Sequence, residues 1–404
     1  MRLEYLAYRN MISKPMSLVF NLLLLALSVA LVSFIIELNK QVNKQLEENI
    51  APVDLVVGAK GSPLQLVLSS VLHIDVPTGN IELKEAKKIM KHPFVGSAVP
   101  VAYGDNFKGY RIVGSEQGYF DRYRASLEKG SFIKMPFEIV AGSSVAKKLN
   151  LKIGDTFFSS HGLVAGGNNE HEEHPFKVVG VLLPTGSVLD KLLITTLESV
   201  WQAHAHEEKD QENNQHESEN DEDEREITAL LIKFKSRLGL VQLPRIINQT
   251  TKMQAALPRF EIQRLEGFLG AGVKAINSIA LAVLVVSGIS ILLSLARAVR
   301  ERKKELALLR TYGLGTKKLL YLVLIEGLSL AFIGFLLGWL LSRLALVLAS
   351  SQLESSFGYP LTVPGIQLTD LHLLGATLLI AFIAICFASS AIFTLNISKT
   401  LSDE

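Results

Sequence analysis

Long uncharged apolar runs constrain this chain more than any other feature of its sequence. Residues 16–36 carry no charged side chain and reach the roughly 20 residues that a helix needs to cross the hydrocarbon core of a bilayer. Three further runs of similar length follow, at residues 275–296, 319–341 and 373–395. The pattern predicts an α-helical membrane protein with four transmembrane helices, which places both termini on the same side of the membrane.

The positions of Lys and Arg predict the orientation of these helices, because short cytoplasmic loops are enriched in both residues. Three basic residues precede the first run, and the loop 297–318 carries eight. Both termini and this loop are therefore predicted to be cytoplasmic. A cleaved signal peptide is the alternative for residues 16–36, but the run exceeds the about 7–15 apolar residues of such peptides.

This orientation divides the chain into named parts. The prediction is a cytoplasmic amphipathic helix at 1–15, spans at 16–36, 275–296, 319–341 and 373–395, an extracytoplasmic domain at 37–274, a cytoplasmic loop at 297–318, an outer loop at 342–372 and a cytoplasmic tail at 396–404. In a bacterium the chain would lie in the inner membrane as a multi-pass protein, with its large domain in the periplasm.

Composition excludes several classes of protein. The 41 Lys and Arg nearly balance the 39 Asp and Glu, which argues against a strongly basic nucleic-acid-binding protein. The single cysteine, Cys386, excludes an internal disulfide framework and a cysteine-based zinc site. The chain also lacks a G-x-x-x-x-G-K-[ST] phosphate-binding loop, so it is predicted to be a non-catalytic subunit rather than an ATPase.

The outer segment 37–274 is predicted to form an α+β domain. Its ends continue the membrane helices as polar helices, at 37–49 and 260–275, and so form a stalk. Helices are predicted at 81–91 and 143–149, and the remaining short apolar runs predict strands at 98–103, 109–113, 137–141, 156–160, 176–183 and 227–234. Residues 204–225 are almost devoid of apolar side chains and rich in acids, which predicts a disordered loop.

Several motifs resemble one family. One span, a large outer domain and three further spans form an arrangement similar to the MacB, FtsX and LolC class of ABC transporter permeases. The basic loop RAVRERKKELALLRTYGLGTKKLL at 297–320 resembles the hallmark of that class. Tyr8-Arg9-Asn10 and the segment Ile139-Val140-Ala141-Gly142 are also similar to it, and DLVVGAKGSPLQLVLSS at 54–70 resembles a MacB-like branch.

The resemblance implies a dimer, either of two identical copies or with a related permease, bound to two copies of a separate ATP-binding subunit. ATP and Mg²⁺ would then be bound by the partner, and a periplasmic protein or lipoprotein would be a further partner. Such permeases pass ATP-driven motion through the stalk to the outer domain, which is called mechanotransmission. Residues predicted to contact the ATPase are Arg300, Glu301, Arg302, Lys304, Glu305, Leu309, Arg310 and Gly313.

The residues of the basic loop fit a stiff amphipathic helix. Leu306, Leu308 and Leu309 form an apolar side, Glu301 is spaced to pair with neighbouring cations, and Gly313 is a stop signal. The alternative is a loop whose charges only set topology.

Within the third span, Glu326 is a functional candidate because ionisable groups are costly in a membrane, although a position near the interface is the alternative. The small residues Gly327, Ala331, Gly334 and Gly338 predict close helix packing, within the chain or between two copies.

All nine histidines fall outside the cytoplasm in this topology. His161, His171, His174, His204 and His206 lie close in sequence among acidic residues, and imidazole with carboxylate suits Zn²⁺. The alternative is a solvated loop in which the histidines do not converge. The spacing H-E-E-H before Pro175 does not match a zinc protease helix. His73, His92 and His372 are scattered and are predicted to be surface or interfacial residues.

These observations predict the permease subunit of a MacB-like ABC system that moves or releases an envelope substrate, with a possible link to zinc. Two alternatives stay open. One is an FtsX-like regulator that activates a periplasmic cell-wall hydrolase, and the other is a metal-sensing transmembrane module.

Overall fold

A computed structural model of the protein describes residues 5, 9, 15–160, 175–203, 225–301, 315–357 and 361–393. The chain forms two compact units. The outer unit comprises Val42–Phe268, and the helical unit comprises Met1–Gln41 together with Leu269–Glu404. Two long helices contribute residues to both units. They are α1 (Pro15–Ile50) and a later helix, Pro258–Glu301.

The outer unit combines a large sheet with short helices. After α1 come β1 (Leu55–Ala59), α2 (Pro63–Ser70), β2 (Ile81–Glu82), α3 (Leu83–Met90), β3 (Val95–Phe107), β4 (Tyr110–Ser115), α4 (Gln117–Arg122), β5 (Leu127–Gly130), β6 (Glu138–Ala141), α5 (Ser143–Leu149), β7 (Thr156–Phe157), β8 (Phe176–Leu182), a 3₁₀ helix (Val188–Lys191), β9 (Leu193–Thr196), β10 (Glu226–Ile227), β11 (Ala229–Phe234), α6 (Gly239–Thr250), β12 (Met253–Ala256) and α7 (Pro258–Glu301).

Among the described residues, ten of these strands join in one mixed sheet. Its order is β12-β1-β11-β3-β4-β9-β6-β8-β5, with β7 paired to β8, while β10 and β2 form a separate pair. The β4–β9 and β6–β8 pairs are parallel, and the others are antiparallel. Because β1 lies between β12 and β11, its run Leu55-Val56-Val57 is buried on both faces.

The outer unit has apolar clusters on both faces of the sheet. Successive strand residues point to opposite faces, and on β1 the Val56 side chain joins one cluster while Leu55 and Val57 join another. Local signals set the short helices. The Ser62 side chain accepts from Gln65 N at 3.4 Å to cap α2, and α5 ends at Asn150 in the left-handed conformation.

The helical unit contains most of α1 and α7, together with α8 (Thr316–Phe357) and α9 (Leu368–Phe393). Three helices among the described residues are long and apolar enough to cross a membrane, over Leu18–Ile50, Lys317–Gln352 and Leu368–Phe387. The predicted span 275–296 lies on α7, where the apolar helix Lys274–Val283 is shorter than a span. Four spans therefore stay a prediction.

The structure agrees with much of the predicted secondary structure and differs at particular places. The helix 143–149 is confirmed, and both polar extensions of the membrane helices are confirmed as uninterrupted parts of α1 and α7. Helix α6 was not predicted, and Pro244 lies inside it, where a proline is unusual. The predicted disordered loop lies, apart from Arg225, outside the described residues, as does the predicted tail 396–404.

Candidate functional site

The two long helices meet in the core of the outer unit. Ile50 at the end of α1 and Ile262 near the start of α7 are 4% and 2% exposed and belong to the same apolar cluster. Leu46 and Leu265, one turn away on each helix, pack against that cluster. We call this set of four residues the helix junction. It attaches both helices to the sheet through buried apolar contacts.

Polar contacts fix the last turns of α1 as well. Asn49 is 3% exposed, and its Oδ1 accepts a hydrogen bond from Val188 N at 3.1 Å. Its carbonyl oxygen accepts from the Tyr123 hydroxyl at 3.4 Å. One turn earlier, Gln45 Nε2 donates to Gly186 O at 2.5 Å. The end of α1 is therefore bonded to the loop between β8 and β9.

That loop has a fixed shape. Asp190 is 5% exposed, and its carboxylate accepts from Thr185 N at 2.9 Å, Gly186 N at 2.8 Å and Thr185 Oγ1 at 2.9 Å. A Cβ atom at Gly142 would collide with the carbonyl oxygen of Leu189. The glycine of the segment 139–142 therefore permits close approach of two backbones. These contacts hold the loop against β6 at Gly142 and connect it to the end of α1.

In the helical unit, α1 packs on α8 at small residues. A Cβ atom at Gly334 would lie 2.5 Å from Leu25 Cδ2, and one at Gly338 would lie 2.6 Å from Ala26 O. One turn further, Ser342 Oγ donates to Ser33 Oγ at 3.1 Å. The predicted close packing of Gly334 and Gly338 is thus made within the chain, which leaves these two glycines covered rather than open to a second copy.

The other predicted residues of α8 lie nearby. Gly327 is buried, and Ala331 is fully buried in the apolar cluster that contains Leu25 and Val29. Glu326 is partly buried. In the sequence of α8 it stands between Val323 and Leu330, which both belong to this cluster.

An ion pair that sequence analysis did not predict links α8 to α9. Arg343 Nη2 lies 2.7 Å from Asp370 Oδ2, and both side chains are 9% exposed. Asp370 Oδ2 also accepts from Gln367 N at 2.9 Å, which caps the first turn of α9. The Gln367 side chain accepts from Lys40 Nζ at 2.5 Å. The local sequence signal for the cap was an acidic residue, Asp370, three positions after the polar Gln367 at a helix start. The sequence near Asp370 gives no signal for its partner Arg343, which lies on another helix.

His73 is not the ordinary surface residue that was predicted. Its Nε2 lies 2.7 Å from the Tyr119 hydroxyl and its Nδ1 lies 2.9 Å from the Tyr103 hydroxyl. Burial, and to a lesser degree the charge of Arg111, lowers the pKa of His73 from 6.5 to about 3. Both ring nitrogens are therefore engaged by tyrosines in a neutral imidazole, which is not available as a metal ligand.

The other two described histidines fit the prediction better. His92 is partly exposed, with its Nδ1 accepting from Phe94 N at 3.3 Å, and His372 is exposed on α9. Within the part of the chain that the structure describes, no three His, Cys, Asp or Glu side chains form a group that could hold a metal ion. The predicted zinc ligands His161, His171, His174, His204 and His206 lie outside that part.

The sequence matches two protein families over nearly its whole length. Residues 18–237 match the family described as MacB-like periplasmic core domain, which is more than half of the chain. Residues 277–400 match the family described as FtsX-like permease C-terminal. The chain belongs to the MacB/FtsX-type ABC transporter permeases.

Two solved structures are similar to the outer part of this permease. The periplasmic region of MacB from Actinobacillus actinomycetemcomitans is 15% identical, covers 55% of this chain and 97% of its own, and has a TM-score of 0.35. The extracellular domain of the noncanonic ABC-type transporter YknZ from Gram-positive bacteria is 12% identical, covers 50% and 98%, and has a TM-score of 0.31. No curated protein has a sequence that matches this permease.

Membership of this family implies an ATP-binding partner, since the family consists of permease components of ABC transporters. Arg300 and Glu301 end α7, and nothing is described of their side chains. The other predicted contacts to the ATPase, Arg302, Lys304, Glu305, Leu309, Arg310 and Gly313, lie outside the described residues.

Proposed function

We propose that this permease couples ATP hydrolysis by a separate subunit to motion of its extracytoplasmic domain, and that this motion moves or releases an envelope substrate. The proposal includes four spans at 16–36, 275–296, 319–341 and 373–395, with cytoplasmic termini and the domain 37–274 in the periplasm. Two copies, identical or from related permeases, would assemble with two ATP-binding subunits. The permease itself would carry out no chemistry.

One observation carries this proposal: α1 is a single helix that makes close contacts in each of the two units. Its 36 residues extend about 54 Å at 1.5 Å per residue, whereas the hydrocarbon core is about 30 Å thick. Leu25 and Ala26 contact the glycines of α8, while Asn49 and Ile50 are fixed in the outer unit. A helix attached in this way can carry displacement or rotation over its length.

The cytoplasmic end of the mechanism would be the loop 297–318. In the proposal, the apolar side of this loop, which includes Leu309, enters a groove of the ATP-binding subunit, and Arg300, Glu301, Arg302, Lys304, Glu305 and Arg310 make charged contacts around it. Gly313 would end the helix. Nucleotide-driven closure of the two ATP-binding subunits would then displace α7 and α8, which flank the loop on either side.

The test is purification of the tagged full chain from its native membranes. We expect an ABC ATP-binding subunit to be recovered with it, and the complex to hydrolyse ATP. Leu309→Asp should abolish recovery of that subunit, because a carboxylate would be desolvated in an apolar contact. Ile153→Asp is a matched control at a half-exposed apolar position of the outer unit and should have no effect. Recovery of the wild-type chain without any ATP-binding subunit would contradict the proposal.

What the outer domain acts on is a separate question within the proposal. The full complex, captured from the envelope with and without ATP, should release its bound partner in a nucleotide-dependent way. A lipoprotein or carrier protein among the released proteins supports transport. A cell-wall hydrolase whose activity rises in the complex supports the FtsX-like regulatory function instead.

A further inference from the structure

One end of α8 places a buried guanidinium at the edge of the membrane. The apolar span on α9 begins at Leu368, so Asp370 lies in its first turn and marks the level of the lipid headgroups. Arg343 Nη2 is 2.7 Å from Asp370 Oδ2, which sets the guanidinium at the same level. Arg343 lies just after the predicted apolar run 319–341 of its own helix, within the longer apolar helix Lys317–Gln352. Its contact with Asp370 therefore sets its depth.

Three buried donors at this place have no acceptor among the residues that the structure describes. They are Arg343 Nε, Arg343 Nη1 and Trp339 Nε1. Arg343 as a whole is 7% exposed, and its Cζ lies 5.2 Å from the centre of the Trp339 ring, so the donors belong to one location. A buried donor without a partner is unfavourable, because it has lost its hydrogen bonds to water. Three such donors at one location indicate a bound ligand that supplies oxygen acceptors.

The carboxylate paired with Arg343 already has donors of its own. Asp370 accepts from Arg343 and from Gln367 N. Lys40, bound to the Gln367 side chain, adds a further cation, and the start of α9 adds the positive end of a helix dipole. The unmatched groups at this location are thus all donors, which favours a ligand with several oxygens and negative charge.

We propose that Trp339 and Arg343 bind the phosphodiester group of a membrane phospholipid. A bilayer supplies phosphodiester groups at the depth where the donors lie. The phosphodiester oxygens can accept from Arg343 Nε and Nη1, while Asp370 contacts Nη2. Tryptophan at the same level is typical of the membrane interface. The inference rests on the proposed membrane placement of α8 and α9. Its failure would leave recovery of the ATP-binding subunit unaffected, so the two proposals can fail separately.

The test measures lipid binding to the delipidated full chain in detergent, by the midpoint of thermal stabilisation as lipid is added. The probes are phosphatidylglycerol, diacylglycerol with the same acyl chains, and inorganic phosphate. We expect phosphatidylglycerol alone to stabilise the wild-type chain. Trp339→Phe keeps the ring and removes one donor, and we expect its apparent affinity for the phospholipid to fall about 2–10-fold.

A second variant removes the guanidinium without leaving a lone buried carboxylate. Arg343→Met combined with Asp370→Leu replaces the ion pair by apolar side chains, which proteins often tolerate, and should weaken binding at least about tenfold. Lys317→Met removes a cation from the other end of α8, where the side chain is exposed, and should bind as the wild type does.

Four results would overturn the inference. The first three are equal binding by the wild type and both site variants, stabilisation by diacylglycerol to the same extent, and full stabilisation by inorganic phosphate alone, which would indicate a site for a free anion. Stabilisation that follows the fraction of dimer and not the lipid would also overturn it, because a second copy would then supply the acceptors.

Discussion

Asn49 Oδ1 accepts a hydrogen bond from Val188 N at 3.1 Å, across 139 residues of sequence. This bond connects the end of α1 to the loop that leads into β9. We expect Asn49→Ala to lower the free energy of unfolding of the outer unit by about 1–3 kcal/mol, because a buried N–H loses its acceptor. Chemical unfolding of the full chain in detergent, followed by fluorescence, measures this.

The matched control for that change lies one turn away. Lys44 is exposed and forms only a 3.7 Å pair with Glu48, so Lys44→Ala should change the stability by less than about 1 kcal/mol. Equal effects of the two substitutions would show that the bond to Val188 does not stabilise the end of α1.

Asp190 should be the most sensitive residue of the same loop. Asp190→Ala removes the acceptor of two backbone N–H groups and one hydroxyl, so we expect a loss of at least about 3 kcal/mol. Asp190→Asn keeps one acceptor oxygen and should lose less. ATPase activity of the complex should become less responsive to the outer partner in both variants. Similar unfolding curves for the two variants would contradict this order.

The helical unit offers a test at a single glycine. Gly338→Ala would place a Cβ 2.6 Å from Ala26 O and 2.7 Å from Val29 Cβ, and such overpacking costs about 1–3 kcal/mol. Gly375→Ala on α9 meets nothing within 4 Å and should gain up to about 1 kcal/mol from helix propensity. Thermal stability in detergent distinguishes them. Stabilisation by both substitutions would mean that α1 and α8 are not in close contact.

The outer unit should become less stable in acid through His73. Its pKa is about 3 in the folded chain and 6.5 ordinarily, so between these values the unfolded state binds the extra proton. Stability should therefore fall as the pH drops from 6.5 towards 3, by at most about 1.4 kcal/mol per pH unit. His73→Asn tolerates the left-handed backbone at φ 55 and should flatten this dependence, which pH-dependent chemical unfolding measures.

Zinc binding stays a prediction, and calorimetric titration of Zn²⁺ into the full chain checks it. Submicromolar binding that is lost in the triple variant His161→Ala, His171→Ala and His174→Ala, and that survives deletion of residues 204–225, would support a folded site. Binding that disappears with the deletion would indicate that the acidic loop alone captures metal. Absence of binding would remove the metal-sensing alternative.

Features with a local cause were predictable from the sequence. The apolar runs predicted helices that the structure has as parts of α1, α8 and α9, because bilayer thickness sets the minimum length of a spanning helix. Features that depend on distant residues were not. Arg343 and Asp370 are 27 residues apart, and His73 meets Tyr103 and Tyr119 at separations of 30 and 46. No periodicity or spacing carries such pairings.

The contacts of α1 with α8 follow a constant register. Leu25 meets Gly334, Val29 meets Gly338 and Ser33 meets Ser342, so each step of four residues on α1 matches one step on α8. A slide of less than one helical turn would move Val29 away from Gly338, a position of this face that has no side chain. The two helices interlock at these three steps, so an axial movement of α1 relative to α8 would have to break all three contacts at once.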